Sequence, residues 1–322
     1  MDLLRVIACV GVVSVHMKQA YAVKDSSSLL NIIYKFCDAG ANGVALLFVL
    51  SGYFAWQTTE SGTFNNVHYL KHRFLRISPA YFIVVIIYII FGMLPLDKGV
   101  LRYFTYTQGW IPSQNFAIYN NIGALWTMSC FVCFYTMVPI LKKYVKNLTK
   151  AVAAVVGMFC FGKFAGMVFQ YFLIKIGSDA PDLMENIFPL CNIYFFMMGV
   201  LVYYVIQEEK QYVFFLISII IINILIIIGK MDYFMYTVLG MMVIILSDKI
   251  EISMKQNSMI RRTVCLLSMI SYEVYLTHPL FIEISKLFTI PGEVILIPII
   301  TMLFSYVLHS ILDRLLNVRE NK

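Results

Sequence analysis

Apolar segments long enough to cross a bilayer follow one another along nearly the whole chain, separated by short charged or Gly/Pro-containing breaks. Of the 322 residues, 60% are hydrophobic and 13% are charged, whereas a soluble domain carries about 25% charged residues. A spanning helix needs about 20 apolar residues, so the chain can supply about ten spans. The sequence therefore predicts an all-α, polytopic integral membrane protein.

The ten expected spans leave no stretch for a separate soluble domain, so residues 1–322 are predicted to form a single transmembrane domain. The predicted spans cover residues 2–18, 39–57, 78–95, 121–141, 151–173, 186–206, 211–229, 232–247, 263–283 and 293–313.

Lysine and arginine are distributed unequally between the two predicted sides of the membrane. With the N-terminus placed in the cytoplasm, sixteen of the 25 Lys and Arg residues fall on the inner side and eight on the outer side. Positive residues accumulate in cytoplasmic loops, and an even number of spans agrees with this bias. We therefore expect both termini to be cytoplasmic, in a multi-pass membrane protein.

The cysteines and the net charge exclude several other classes of protein. The seven cysteines are odd in number and lie mostly in apolar segments, so they imply no disulfide framework. Cys130 and Cys133 form a C-x-x-C without a nearby histidine, which indicates packing and not a metal site. The net charge of +7 comes from loops on one membrane side, so the expected partner is the lipid bilayer and not nucleic acid.

Ionisable side chains inside predicted spans are candidates for function, because each costs a few kcal/mol in a bilayer. These residues are Arg5, His16, Lys163, Glu273, His278 and His309. His16 and His278 lie on two helices that both run outward, each about 20 Å from its inner end at 1.5 Å per residue. An alternative is that each imidazole caps a helix end or bonds a carbonyl. For Glu273, a partner in Lys163 and a protonated, hydrogen-bonded carboxyl both stay open.

A basic segment precedes the third predicted span. Arg73 and Arg76 are three residues apart, so in a helix they share a face and can bind phosphate bidentately. The alternative is ordinary positive-inside anchoring of the span.

Five segments in chain order resemble the membrane-bound acyltransferase family of type 3, which includes polysaccharide O-acetyltransferases. They are D-L-L-R-V-I-A from Asp2 with His16 closing the helix, G-V-A-L-L-F-V-L-S-G-Y from Gly43, R-F-L-R-I-S-P-A-Y from Arg73, L-W-T-M-S from Leu125 with Phe134, Tyr135 and Pro139, and I-S-Y-E-V-Y-L-T-H-P from Ile270. Each motif is weak alone, but five in order over most of the chain are specific.

The resemblance implies an acyl-CoA donor on the cytoplasmic side, most often acetyl-CoA. Its phosphates need cations, for which Arg73 and Arg76, with Arg5 as the third, are the expected binding residues. His16 is the expected catalytic residue, because a group with a pKa near working pH suits deprotonation of a hydroxyl.

Four further residues complete the expected site, and two routes of transfer stay open. Glu273 and His278 are placed with His16 in the catalytic set, and Tyr275 in the substrate set. Trp126 is suited to stacking on a sugar or to the interfacial aromatic belt. His16 either acts as a general base in direct transfer or carries the acyl group itself. No metal is expected.

The resemblance leaves the acceptor open: a glycan outside the cytoplasm, or a lipid-linked sugar, with glycan-synthesis proteins as possible partners. The sequence also departs from the family pattern, because Phe131 and Ala45 stand where many members carry acidic residues. Two alternatives therefore remain, which are a secondary transporter or flippase of lipid-linked sugar and a non-catalytic subunit of a glycan-synthesis complex.

Overall fold

The computed structural model describes residues 1–21, 28–60, 64–120, 122–183, 187–227, 237–246, 259–288 and 293–320, and in these ranges every regular element is a helix. The α-helices are α1 (Asp2–Tyr21), α2 (Ser28–Ala39), α3 (Gly43–Thr59), α4 (Asn66–Ile90), α5 (Leu101–Phe104), α6 (Phe116–Tyr119), α7 (Thr127–Tyr144), α8 (Leu148–Lys175), α9 (Pro189–Gln207), α10 (Gln211–Ile227), α11 (Thr237–Leu246), α12 (Met259–Phe288) and α13 (Glu293–Glu320). Short 3₁₀ turns occupy Gly40–Asn42, Lys98–Val100 and Pro181–Leu183. The predicted all-α class is confirmed for the described residues.

Seven helical segments are long and apolar enough to cross a membrane, so the chain is a multi-pass membrane protein. They are Asp2–Tyr21, Ile33–Thr59, Asn66–Ile90, Leu148–Lys175, Pro189–Gln207, Met259–Leu287 and Glu293–Leu316. The expected fourth, seventh and eighth spans correspond to α7, α10 and α11, which lie outside this set of seven. Residues 228–229 of the seventh and residues 232–236 and 247 of the eighth lie outside the described residues. Ten spans therefore stay a prediction, as does the cytoplasmic placement of the termini.

The two ends of the bundle differ in the side chains that lie there. Arg5 lies in the first turn of α1, and the Arg5 guanidinium is close enough to Arg73 and Arg76 on α4 to interact with their charges. We call this the arginine end. α1 finishes beyond His16, at the histidine end.

Glycines let the central helices approach closely. A Cβ added at Gly52 would lie 2.0 Å from the Phe196 carbonyl oxygen, and one added at Gly199 would lie 1.9 Å from that of Val49. The backbones of α3 and α9 are therefore in direct contact. Such close packing stabilises helix pairs in a membrane, because the hydrophobic effect does not drive helices together in lipid. A Cβ at Gly43 would likewise lie 2.4 Å from the Ala8 carbonyl oxygen, so the G-V…S-G segment holds α3 against both α1 and α9.

α4 begins twelve residues before the start of the expected third span and ends five residues before the end of that span. The Asn65 side chain caps its start by accepting from the backbone N–H of Val67 at 2.9 Å and of His68 at 3.0 Å. At the other end, Met93 N–H and Leu94 N–H both bond the Tyr88 carbonyl, which closes the helix at a turn.

The connection from α4 to α7 folds back along α4. Tyr106 donates to Ser78 Oγ at 2.7 Å, and Tyr81 donates to the Tyr103 carbonyl at 2.9 Å. Ser78 lies twelve residues from the end of α4, which is about 18 Å along a helix. Non-helical backbone at that depth needs internal partners; Gln108 Nε2 supplies one by donating to the Leu125 carbonyl at 2.9 Å.

Candidate active site

A cavity of about 1010 Å³ lies between α1, α3, α8 and α9, with Tyr275 of α12 and the turn before α7 also in its wall. Its volume matches the upper range for ligand pockets in proteins. His16, Trp126 and Tyr275 line it together, so three residues that the sequence assigns to the site meet in one space.

His16 and His278 form a direct pair, as their similar predicted depths allow. His16 Nδ1 lies 2.7 Å from His278 Nε2, and the rings stack with centroids 5.0 Å apart at an interplanar angle of 16°. His278 is 1% exposed and belongs to the buried core of α12. The pairing joins the first and the last of the five sequence motifs.

The backbone around Pro279 sets the tautomers of this pair. His278 Nδ1 lies 3.2 Å from the Val274 carbonyl, and because a carbonyl only accepts, His278 Nδ1 carries the proton. Pro279, which has no N–H, also removes the helical hydrogen bond that the Tyr275 carbonyl would otherwise accept. His278 Nε2 is therefore the acceptor, and His16 Nδ1–H is the donor.

This chain of hydrogen bonds leaves a lone pair on His16 Nε2. A neutral imidazole has one donor and one acceptor nitrogen, and the second nitrogen of His16 is the one not used by His278. Since His16 lines the cavity, the arrangement can take a proton from, or attack, a group bound there. The buried partner orients the imidazole and stabilises the cation that forms, as the carboxylate does in a Ser-His-Asp triad.

The structure places Glu273 away from this pair. Glu273 Oε1 lies 2.9 Å from His309 Nδ1 on α13, and neither residue belongs to the cavity wall. The sequence offered Lys163 as a partner for Glu273. In the structure Glu273 pairs with His309, and Lys163 lies in the cavity wall. The sequence marked His309 as a polar residue in a span but did not pair it.

The three arginines gather at the opposite end of the bundle. Arg5 lies over the Phe54 ring at 4.3 Å and pairs with Asp2 at 3.7 Å. Arg73 is half-buried between the rings of Tyr69 and Tyr135, at 5.2 and 5.1 Å. Arg76 is exposed. Three cations with one carboxylate beside them form a site of net positive charge, which suits a polyanion.

Eleven residues separate Arg5 from His16 along α1, which corresponds to about 16 Å. Aromatic rings fill the space between the two ends: Phe48 lines the cavity, Phe131 lies 5.1 Å from it edge to face, and Tyr135 stacks on Phe131 at 6.2 Å. Phe131, which departs from the family pattern, is thus part of a column that separates the cavity from the arginines.

Sequence reasoning missed Asn192, which lies in the cavity wall on α9. A polar amide inside the apolar stretch 186–206 was the available signal. Within the described residues, no three His, Cys, Asp or Glu side chains are grouped to hold a metal ion.

Comparison with known proteins places one family model over this fold. The model, described as an acyltransferase domain of type 3, matches residues 1–312. Among curated proteins and among solved structures, nothing matches the chain.

Proposed function

This chain belongs to the type 3 acyltransferase family, and from that premise we propose that it moves an acyl group from acyl-CoA to a hydroxyl of a glycan. The observation that carries the proposal is the His16–His278 pair at 2.7 Å, with His16 in the wall of a cavity large enough for a sugar. The acyl group is proposed to be acetyl, and the acceptor to lie outside the cytoplasm of a bacterial cell or to be linked to a lipid.

The donor is proposed to bind at the arginine end. Arg5, Arg73 and Arg76 provide the cations that the phosphates of CoA require, and the excess of Lys and Arg on this side of the predicted spans supports a cytoplasmic location of this end. The thioester then has to reach about 16 Å along α1 to meet His16.

At His16, the proposed direct step is general base catalysis. His16 Nε2 takes the proton of the sugar hydroxyl while the hydroxyl oxygen forms a bond to the thioester carbonyl carbon. The carbon–sulfur bond breaks, and the CoA thiolate leaves with the proton returned from His16. In the relay route, Nε2 itself attacks the thioester carbonyl carbon, the carbon–sulfur bond breaks, and the CoA thiolate leaves. The hydroxyl oxygen then attacks the acyl carbon, the carbon–nitrogen bond breaks, and the hydroxyl proton that is released balances the thiolate.

Trp126 and Tyr275 are proposed to contact the acceptor. The indole offers a flat face and the phenol a polar group, and both line the cavity with His16. Glu273 is proposed to act through helix packing, because it lies with His309 between α12 and α13 and outside the cavity wall.

The test compares donor binding with donor cleavage in purified protein. Acetyl-CoA titrations should show weaker binding for Arg76→Gln, and unchanged binding for Lys143→Gln, an exposed cation on the last turn of α7. His16→Gln keeps a donor for His278 but no base, so it should bind acetyl-CoA normally and lose at least about 100-fold in acyl transfer. His278→Gln should lower the rate by about 10- to 100-fold.

Two results would contradict the proposal. One is no acetyl-CoA binding by wild-type protein, and the other is full transfer activity in His16→Gln. Mass spectrometry without acceptor separates the routes, since only the relay leaves an acyl group on His16.

A further inference from the structure

Hydrogen bonds join α1 to α12 at regular intervals along both helices. Asp2, Cys9 and His16 follow one another at a spacing of seven residues on α1, and each bonds a residue of α12. Cys9 donates to the Ser271 carbonyl at 3.3 Å, and His16 bonds His278, which lies seven residues after Ser271. Seven residues are about two helical turns and return to the same face. The two helices therefore run side by side in one register up to the histidine pair.

Pro279 interrupts α12 immediately after this register. It offers no N–H to the Tyr275 carbonyl, and a proline inside a helix is the usual position of a kink. The segment Leu280–Phe288 therefore continues α12 beyond a weakened turn. His278 lies directly before that turn, so its orientation depends on how the outer segment is held as well as on the inner one.

Tyr21 and Ser285 hold this outer segment against α1. The hydroxyl of Tyr21, the last residue of α1, bonds Ser285 Oγ. Ser285 is fully buried and gives its own proton to the Ile282 carbonyl at 2.8 Å, so Tyr21 is the donor of the bond between the helices. Ser285 lies seven residues after His278 on the same face, which is about 10 Å along the helix. The histidine pair thus has a hydrogen bond between α1 and α12 on either side of it.

We propose that Tyr21 and Ser285 are positioning residues of the acyl-transfer reaction. Their bond keeps the outer part of α12 on α1 and so holds His278 Nε2 at its 2.7 Å contact with His16 Nδ1. Neither Tyr21 nor Ser285 belongs to the cavity wall, so they act through the histidines and not on a ligand. This inference rests on the proposed function, because it concerns the base of that reaction.

The first test observes the histidine pair itself and uses no acyl donor. Protein labelled with ¹⁵N in its five histidines is placed in nanodiscs, and NMR records the scalar coupling across the hydrogen bond between His16 Nδ1 and His278 Nε2. His16→Gln and His278→Gln assign the signals. The coupling should be present in the wild type and lost in both Tyr21→Phe and Ser285→Ala.

Two further variants separate positioning from general packing. Ser285→Thr keeps a hydroxyl at this position and should keep the coupling. Thr301→Val is the matched control, because Thr301 is a buried hydroxyl residue on α13 that bonds the Ile297 carbonyl of its own helix. It should leave the coupling unchanged.

The second test separates turnover from donor binding. CoA release from acetyl-CoA is measured in membranes of the producing cells, which contain their own glycans, with His16→Gln as the background. Tyr21→Phe and Ser285→Ala should each lower kcat about ten-fold, because small displacements of a reacting group are costly, and should leave the KM for acetyl-CoA unchanged. Since both side chains act through one bond, the double variant should also lose about ten-fold and not about 100-fold. Normal binding of acetyl-CoA shows that each variant is folded.

Three results overturn the inference: an unchanged coupling in Ser285→Ala, an equal loss of coupling in Thr301→Val, or a loss of about 100-fold in the double variant, which would mean that the two side chains act separately. Absence of CoA release from wild-type membranes, with the coupling and its response to Ser285→Ala intact, would instead remove the transfer reaction and leave the tethering of the histidine pair standing.

Discussion

At the scale of single residues, polar groups inside the bundle are organised in pairs that join distant parts of the chain. His16 with His278 joins α1 to α12, and Glu273 with His309 joins α12 to α13. The first pair faces a cavity and the second does not. The type of side chain therefore does not show whether a buried polar residue can react with a ligand. Whether the residue borders a cavity does.

We expect Glu273→Ala to destabilise the protein more than it slows the reaction. Glu273 is 6% exposed, and breaking a buried pair leaves His309 without its partner, at roughly 2–4 kcal/mol. Thermal unfolding in detergent should show a lower midpoint, with the KM for acetyl-CoA unchanged. Glu273→Gln is the matched variant: if it stays stable but loses transfer, Glu273 belongs to the catalytic set after all.

The exposed pair of Asp97 and Tyr119 gives the α4–α7 connection a dependence on pH. The Tyr119 hydroxyl donates to Asp97 and lowers the pKa of that carboxyl. A depressed pKa means that the stabilisation is present above the ordinary carboxyl pKa and is lost as pH falls through the lowered value. Tyr119→Phe should therefore make this connection more sensitive to proteolysis at neutral pH and remove part of its change on acidification; equal cleavage of both proteins at every pH would contradict this.

At the scale of helices, close backbone contact fixes α3 between its neighbours. Gly52 and Gly199 lie across the α3–α9 interface from Phe196 and Val49. A methyl group at either position would meet a backbone carbonyl, which cannot rotate away as a side chain can.

Gly52→Ala and Gly199→Ala should each lower the yield of monodisperse protein and its thermal midpoint. Gly157→Ala is the control, because a Cβ there meets nothing within 4 Å and alanine favours a helix by up to about 1 kcal/mol over glycine. Size-exclusion chromatography and thermal unfolding measure both effects. Equal midpoints for all three variants would show that the α3–α9 contact relaxes easily.

The sequence predicts those parts of this architecture that depend on local apolar length and on short motifs. It places α1, α8 and α9 within a few residues of their observed bounds, and the similar depth that it predicts for His16 and His278 agrees with their contact. It does not predict that residues 91–120 and 122–126 fold back along α4, because nothing in the sequence shows that Gln108 bonds the Leu125 carbonyl. Nor does it predict His309 as the partner of Glu273, since that choice depends on how α12 packs on α13.

For the molecule as a whole, the arrangement separates a cationic end from a reactive cavity by a column of aromatic rings. Each ring in this column contacts the next: Phe48 at the cavity contacts Phe131, Phe131 contacts Tyr135, and Tyr135 contacts Arg73. In the proposed reaction, a donor bound at the arginines would have to pass these rings to reach His16. We expect the column also to keep water from the thioester of that donor when no acceptor is bound.

Phe131 is the ring whose loss tests this separation. Phe131→Leu keeps an apolar side chain of smaller volume but removes the ring that meets Phe48 edge to face and stacks on Tyr135. We expect hydrolysis of acetyl-CoA without acceptor to rise several-fold, because water and thioester meet more often, while donor binding at the arginines is unchanged. CoA release measured with a thiol reagent reports the hydrolysis. Phe161→Leu on the exposed side of α8 is the control, since that side chain is 50% exposed and lies outside the cavity wall. A rise in both variants would point to general loosening, whereas no rise in Phe131→Leu would mean that the donor reaches His16 by another path.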